Sequence, residues 1–134
     1  MQALKTYIVE DSLVIRDSLI ATLEELVPVA VVGTADTEVS AVQWLSNLDN
    51  AVDLLIVDIF LKTGSGLGVL RAAQRLRGSR TVVVLSNYAT ADIRRKCLEL
   101  GADRVFDKSN EIDALINYCN DLARGDLADA AAAP

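Results

Sequence analysis

The sequence predicts an α/β domain: a doubly wound, five-stranded parallel sheet with helices on both faces. Two patterns point there. Short apolar runs alternate five times with amphipathic stretches, and the joints between them are a few residues long. The runs of the second, third and fourth strands are apolar on both faces, as strands are when helices cover both sides of a sheet. Right-handed crossovers between parallel strands then wind the helices onto both faces.

Residues 4–9 (Leu-Lys-Thr-Tyr-Ile-Val) read as the first strand. Asp11-Ser12 offers an N-cap to a first helix, in which Ile15, Leu19, Leu23 and Leu26 recur at helical spacing and Pro28 marks the end. Residues 29–33 form the second strand, and Asp36-Thr37 caps a second helix carrying Ala41, Val42, Leu45 and Leu48. The third strand, 53–57, ends on Asp58, and Gly64-Ser65-Gly66 leads into a third helix over 66–77. The fourth strand is 80–85. A fourth helix over 89–100 sets Ala89, Ile93, Cys97 and Leu100 on one face, and Gly101 stops it. The fifth strand is 103–106. Ser109 caps a last helix that turns Ile112, Leu115, Ile116, Cys119 and Leu122 inward. The domain is expected to span residues 1–123, with 124–134 as an Ala-rich, disordered C-terminal tail.

Composition narrows the function. The chain has 134 residues, room for one domain of ordinary size, and 51% are hydrophobic, enough to build a core. Its richest apolar stretch, Val82-Val83-Val84-Leu85, is far short of the roughly 20 residues that span a bilayer. The N-terminus runs into a strand with no signal-peptide pattern. There is no histidine, which removes triads with a His base, His-ligated metals and a phosphohistidine carrier role. Cys97 and Cys119 form neither a CxxC pair nor a zinc spacing and read as free thiols of a cytoplasmic protein. A net charge of -6 disfavours general binding of nucleic acid or anionic membrane. Arg71 to Arg104 is locally basic, with eight basic residues against three acidic ones. No interleaved aromatics suggest nucleic acid, so a solvated face or an acidic protein partner fits better.

Ligands of such sheets bind outside the carboxyl ends of the strands. Glu10-Asp11 follows the first strand, Asp58 the third, Ser86-Asn87 the fourth and Asp107-Lys108 the fifth, so carboxylates, a hydroxyl and an ammonium share one edge. Clustered carboxylates repel unless a cation sits among them, and oxygen-only donors suit Mg²⁺. An Asp carboxylate is a competent phosphoryl acceptor. Ser86 can donate a hydrogen bond to the added oxygens and Lys108 can supply positive charge.

The set Ile8-Val9-Glu10-Asp11-Ser12, Leu55-Ile56-Val57-Asp58, Val84-Leu85-Ser86-Asn87, Gly101-Ala102-Asp103 and Phe106-Asp107-Lys108 resembles the receiver domain of bacterial two-component response regulators, over residues 4 to about 123. The resemblance implies a flavodoxin-like (βα)5 fold with strand order 2-1-3-4-5. It implies Asp58 as phosphoacceptor, with Glu10, Asp11, Asp58 and the backbone carbonyl of Phe60 holding Mg²⁺. It further implies Ser86 and Lys108 as phosphoryl-binding and switch residues, and Phe60, Tyr88 and Val105 as positions that tune phosphoryl lifetime and switching. The implied partners are a sensor histidine kinase or phosphotransfer protein and a downstream protein target, with no direct nucleic acid, no membrane, and a homodimer left open. With no room for an output domain, a stand-alone regulator is expected, and one domain of a longer regulator is the alternative.

Two departures stand out. Val105 occupies a position that is often aromatic in the family, and Ser109 stands where proline often follows the lysine, so no cis peptide is implied there. Three rival readings fit the sequence less well. A receiver-like interaction module that is never phosphorylated would not need the full acid set. A Mg²⁺-dependent phosphohydrolase wants a DxD motif that Asp58-Ile59-Phe60 lacks. Gly64-Ser65-Gly66-Leu67-Gly68 fails the dinucleotide pattern at Val69 and reads as a flexible loop.

Overall fold

The computed structural model describes residues 3–47, 49–76 and 80–125, and within them five strands alternate with five helices. The elements are β1 (Leu4–Val9), α1 (Leu13–Leu26), β2 (Val29–Ala35), α2 (Glu38–Ser46), β3 (Leu54–Val57), α3 (Gly66–Arg75), β4 (Thr81–Ser86), α4 (Ala91–Glu99), β5 (Arg104–Asp107) and α5 (Ile112–Arg124). All strand pairs are parallel, in the order β2-β1-β3-β4-β5, as expected. The expected tail begins two residues later than the sequence suggests, since Arg124 ends α5 and Gly125 caps it; residues 126–134, the end of the third helix at Arg77 and Leu48 lie outside the described residues.

Alternation along the central strands divides the core in two. Tyr7, Val9, Leu55, Val57, Val82, Val84 and Val105 face α2, α3 and α4, where Ala41, Leu45, Val69, Leu70 and Cys97 meet them. Ile8, Leu54, Ile56, Val83, Leu85 and Phe106 face α1 and α5, against Leu19, Leu23, Leu115 and Cys119. The two free thiols are thus buried on opposite sides of the sheet. Among the described residues no helix is long and apolar enough to cross a membrane.

The structure departs from the sequence reading in places that have local causes. β2 is an edge strand whose Ala30 and Val32 are exposed, so it is not covered on both faces. Its pairing skips Val32, since Thr6 aligns with Val31 and Tyr7 with Gly33. Gly33 lies under the Tyr7 ring, where a Cβ would stand 2.8 Å from Tyr7 Cε1. Trp44 of α2 stacks on the same ring with centroids 4.0 Å apart. In α1 the buried stripe is Leu19 and Leu23 continuing to Val27, while Ile15 and Leu26 are exposed. The chain leaves the helix at Val27 and buries that side chain instead. α4 begins at Ala91, because Thr90 accepts the Ile93 N–H as its cap. Ser109 caps nothing: its N–H and hydroxyl both donate to Asp107 Oδ1, and α5 starts later, after Glu111.

Candidate functional site

Strand register brings the candidate residues together. Val9 pairs with Val57, so Glu10 and Asp58 are the first residues beyond two adjacent strands, and the Asp58 N–H donates to Val9 O at 3.0 Å. Ser86 pairs with Asp107, and the Lys108 N–H donates to Ser86 O at 2.9 Å, which sets Lys108 one residue past β5. From there its side chain reaches across β4, over roughly 10 Å of sheet, to the acids. Nζ donates to Glu10 Oε1 and, at 2.8 Å, to Asp58 Oδ2.

These groups are withdrawn from water. Glu10 is 3% exposed, Asp58 7%, and the Lys108 side chain 8%. Burial works to lower the Lys108 pKa, but its hydrogen bonds to Asp58 and Glu10 and their charges outweigh that, so the ammonium titrates above its ordinary 10.5. Backbone N–H groups hold one oxygen of each acid. Ser12 N–H donates to Glu10 Oε2 at 3.1 Å, Phe60 N–H to Asp58 Oδ1 at 3.1 Å, and Lys62 N–H to Asp11 Oδ2 at 2.6 Å.

One oxygen from each of Glu10, Asp11 and Asp58 lies within 4.8 Å of the others. Three carboxylates against one ammonium leave an excess of negative charge. An all-oxygen, acid-rich donor set of this spacing fits a hard divalent cation such as Mg²⁺. The acids line a cleft of about 200 Å³ that Phe60 and Tyr88 border. Those two rings meet edge to face, 5.3 Å between centroids at 84°, and both are largely exposed.

The structure brings Glu10, Asp11, Asp58, Phe60, Tyr88 and Lys108 to this cleft. Ser86 is fully buried at the end of β4, and its Oγ accepts the Tyr88 N–H at 3.2 Å. Val105 is buried in the α2–α4 side of the core and does not line the cleft. Sequence reasoning placed Asn87 at this edge without a role and missed Ile15, which also lines the cleft, because an isoleucine at helical spacing announces packing and not a site. It also missed a network behind it. Arg94 donates to Ala89 O at 3.0 Å, to Val105 O at 2.9 Å and to Glu111 Oε1 at 2.5 Å, and Glu111 Oε1 accepts the Asp107 N–H at 2.9 Å. Within the sequence Arg94 is one of three consecutive basic residues, and nothing there singles it out.

The fold and the cleft have counterparts. A profile of the response regulator receiver domain matches residues 6–120. A probable transcriptional regulatory protein of Picosynechococcus sp. is 33% identical over 122 residues, covering 87% of this chain and 48% of that protein. The transcriptional regulatory protein YdfI of Bacillus subtilis is 24% identical over 123 residues, covering 92% of this chain and 56% of that protein. The chain therefore spans about half the length of these curated relatives. Among solved structures, the signal receiver domain of NarL from Mycobacterium tuberculosis superposes with a TM-score of 0.81 at 20% identity, over 93% of this chain and 99% of that one. The response regulator domain of CheB from Thermotoga maritima does so at 0.75 and 20%, over 92% and 96%. At such identities the likeness is one of fold.

Proposed function

The chain belongs to the response regulator receiver domain family, and on that premise we propose that Asp58 accepts a phosphoryl group from a partner's phosphohistidine. The observation that carries this reading is the buried Asp58 carboxylate, paired with Lys108 and within reach of the Glu10 and Asp11 oxygens. A carboxylate oxygen of Asp58 attacks phosphorus. The new P–O bond forms as the P–N bond breaks, and the imidazole leaves with the electron pair and takes a proton from water. Glu10, Asp11, Asp58 and the Phe60 carbonyl would hold Mg²⁺, which when bound offsets the charge of the arriving oxygens. Lys108, already ammonium, pairs with the phosphoryl oxygens. Ser86 donates its hydroxyl to them once the loop after β4 shifts.

The donor is a sensor histidine kinase or a phosphotransfer protein, because this chain has no histidine of its own. An apolar groove of about 370 Å³ between α1 and α5 shares Ile15, Asn87 and Lys108 with the cleft, and the exposed Val14 lines it on α1. A protein donor that covers this groove brings its phosphohistidine to Asp58. The downstream target is another protein surface, and the setting is the cytoplasm, where Cys97 and Cys119 stay reduced.

The test is intact mass after incubation with Mg²⁺ and a small acyl phosphate. Wild type gains one phosphoryl group, and Asp58→Asn gains none. No gain in wild type would instead favour a receiver-like interaction module that is not phosphorylated.

A further inference from the structure

Glu38, the first residue of α2, is tied to the loop between β3 and α3 from both ends of the residue. Its N–H donates to Thr63 O at 3.4 Å, and its Oε1 accepts the Ser65 N–H at 2.9 Å. Ser65 is the N-cap of α3, so the carboxylate also sits where a helix start favours negative charge. Two glycines make room for it. A Cβ at Gly64 would stand 2.5 Å from Glu38 Cβ, and one at Gly68 would stand 2.2 Å from Glu38 Oε2. Gly64 further requires the left-handed conformation, with φ at +82°.

The same loop carries the cleft's backbone donors. Phe60 N–H donates to Asp58, and Lys62 N–H donates to Asp11. Gly66 N–H returns to Ile59 O at 2.9 Å, and a Cβ there would meet Asp58 O at 2.2 Å, so the loop is closed against the Asp58–Ile59 backbone. Between Lys62 and Gly66 the described side chain that grips the loop from outside is that of Glu38.

We propose that Glu38 is a positioning residue for the cation site, holding the β3–α3 loop so that its backbone sets Asp11 and the Phe60 carbonyl for Mg²⁺. This rests on the reading of the cleft given above. It acts through the loop and touches neither the cation nor the phosphoryl group. Partners one step behind metal ligands are commonly worth a tenfold or greater change in metal affinity.

Three variants separate this role from simple folding. Glu38→Ala removes the grip, and Glu38→Gln keeps an acceptor oxygen for Ser65. Gly68→Ala leaves Glu38 intact but drives its flexible carboxylate aside, while alanine favours the helix. Titration calorimetry with Mg²⁺ alone should show about tenfold weaker binding for Glu38→Ala and Gly68→Ala, and recovery of most of it in Glu38→Gln. In the metal-free protein, amide exchange at Lys62 and Ser65 should quicken in Glu38→Ala, with protection in the central strands unchanged. Affinity for Mg²⁺ equal to wild type in both alanine variants would overturn the role of Glu38 and leave the cleft reading standing. Wild-type protein that binds no Mg²⁺ would overturn the cleft reading and this role with it.

Discussion

Phe60 and Tyr88 stand at the mouth of the cleft with their rings edge to face, and each reaches the mouth from a loop that also bonds a site residue. Phe60 N–H donates to Asp58 and Tyr88 N–H to Ser86. Rings in those places narrow the path of water to a phosphoryl group on Asp58. Phe60→Asn combined with Tyr88→Ala should therefore shorten the life of the phosphorylated form by about tenfold, equivalent to roughly 1.4 kcal/mol of barrier. The decay of the phosphorylated mass with time measures this, and an unchanged decay would remove the rings from the account. At this scale the acids and the lysine were legible in the sequence, because each lies within two residues of the end of an apolar run and strand ends share an edge. Glu38, Arg94 and the full burial of Ser86 were not. Their roles depend on which backbone groups from distant segments come within reach, and side-chain type alone does not encode that.

The elements behind the cleft are joined by charge as well as packing. Arg94 of α4 links the loop after β4, the Val105 carbonyl of β5 and Glu111 at the start of α5. The Arg94 hydrogen bond, and the Asp107 N–H after it, hold Glu111 below its ordinary value of 4.5. The Ser109 hydroxyl and N–H hold Asp107 below its ordinary 3.8. Both carboxyls are more acidic folded than unfolded. Their contribution is therefore present above the unfolded values and is lost as pH falls through the lower folded ones. Urea unfolding of wild type and Glu111→Gln from about pH 6 to about pH 3 should show the variant less stable at the upper end, with the gap closing below about 4.5. A gap independent of pH would mean that packing, not charge, holds this corner. Arg94 also explains why the start of α5 was misread. Ser109 looked like a cap by type, but Asp107 engages it and Glu111 is drawn to the guanidinium. The fold class and the number and order of elements were readable because alternation and helical spacing report burial. Element ends were less so, since competing polar partners decide them.

At the scale of the whole molecule, both sides of the core are drawn from residues between Leu4 and Leu122, and α5 closes on Gly125 in the left-handed conformation at φ 82°. Every described core residue thus lies ahead of the last nine residues. A chain ending at Gly125 should keep its Tm within about 4 °C, the displacement that roughly 1 kcal/mol causes in a domain of this size. A larger fall in a calorimetric scan would assign the tail a structural role. A five-stranded open sheet also has two outer edges. One is β5, four residues long and opened by the exposed Arg104, whose guanidinium lies over the Tyr118 ring. The other is β2, longer and more apolar, and there the extra residue Val32 breaks the pairing rhythm with β1. A strand with such a kink offers an incoming chain an uneven row of donors and acceptors, which makes it a poorer template for pairing between separate molecules. The bulge thereby guards a crowded solution of this protein against polymerising through its own sheet.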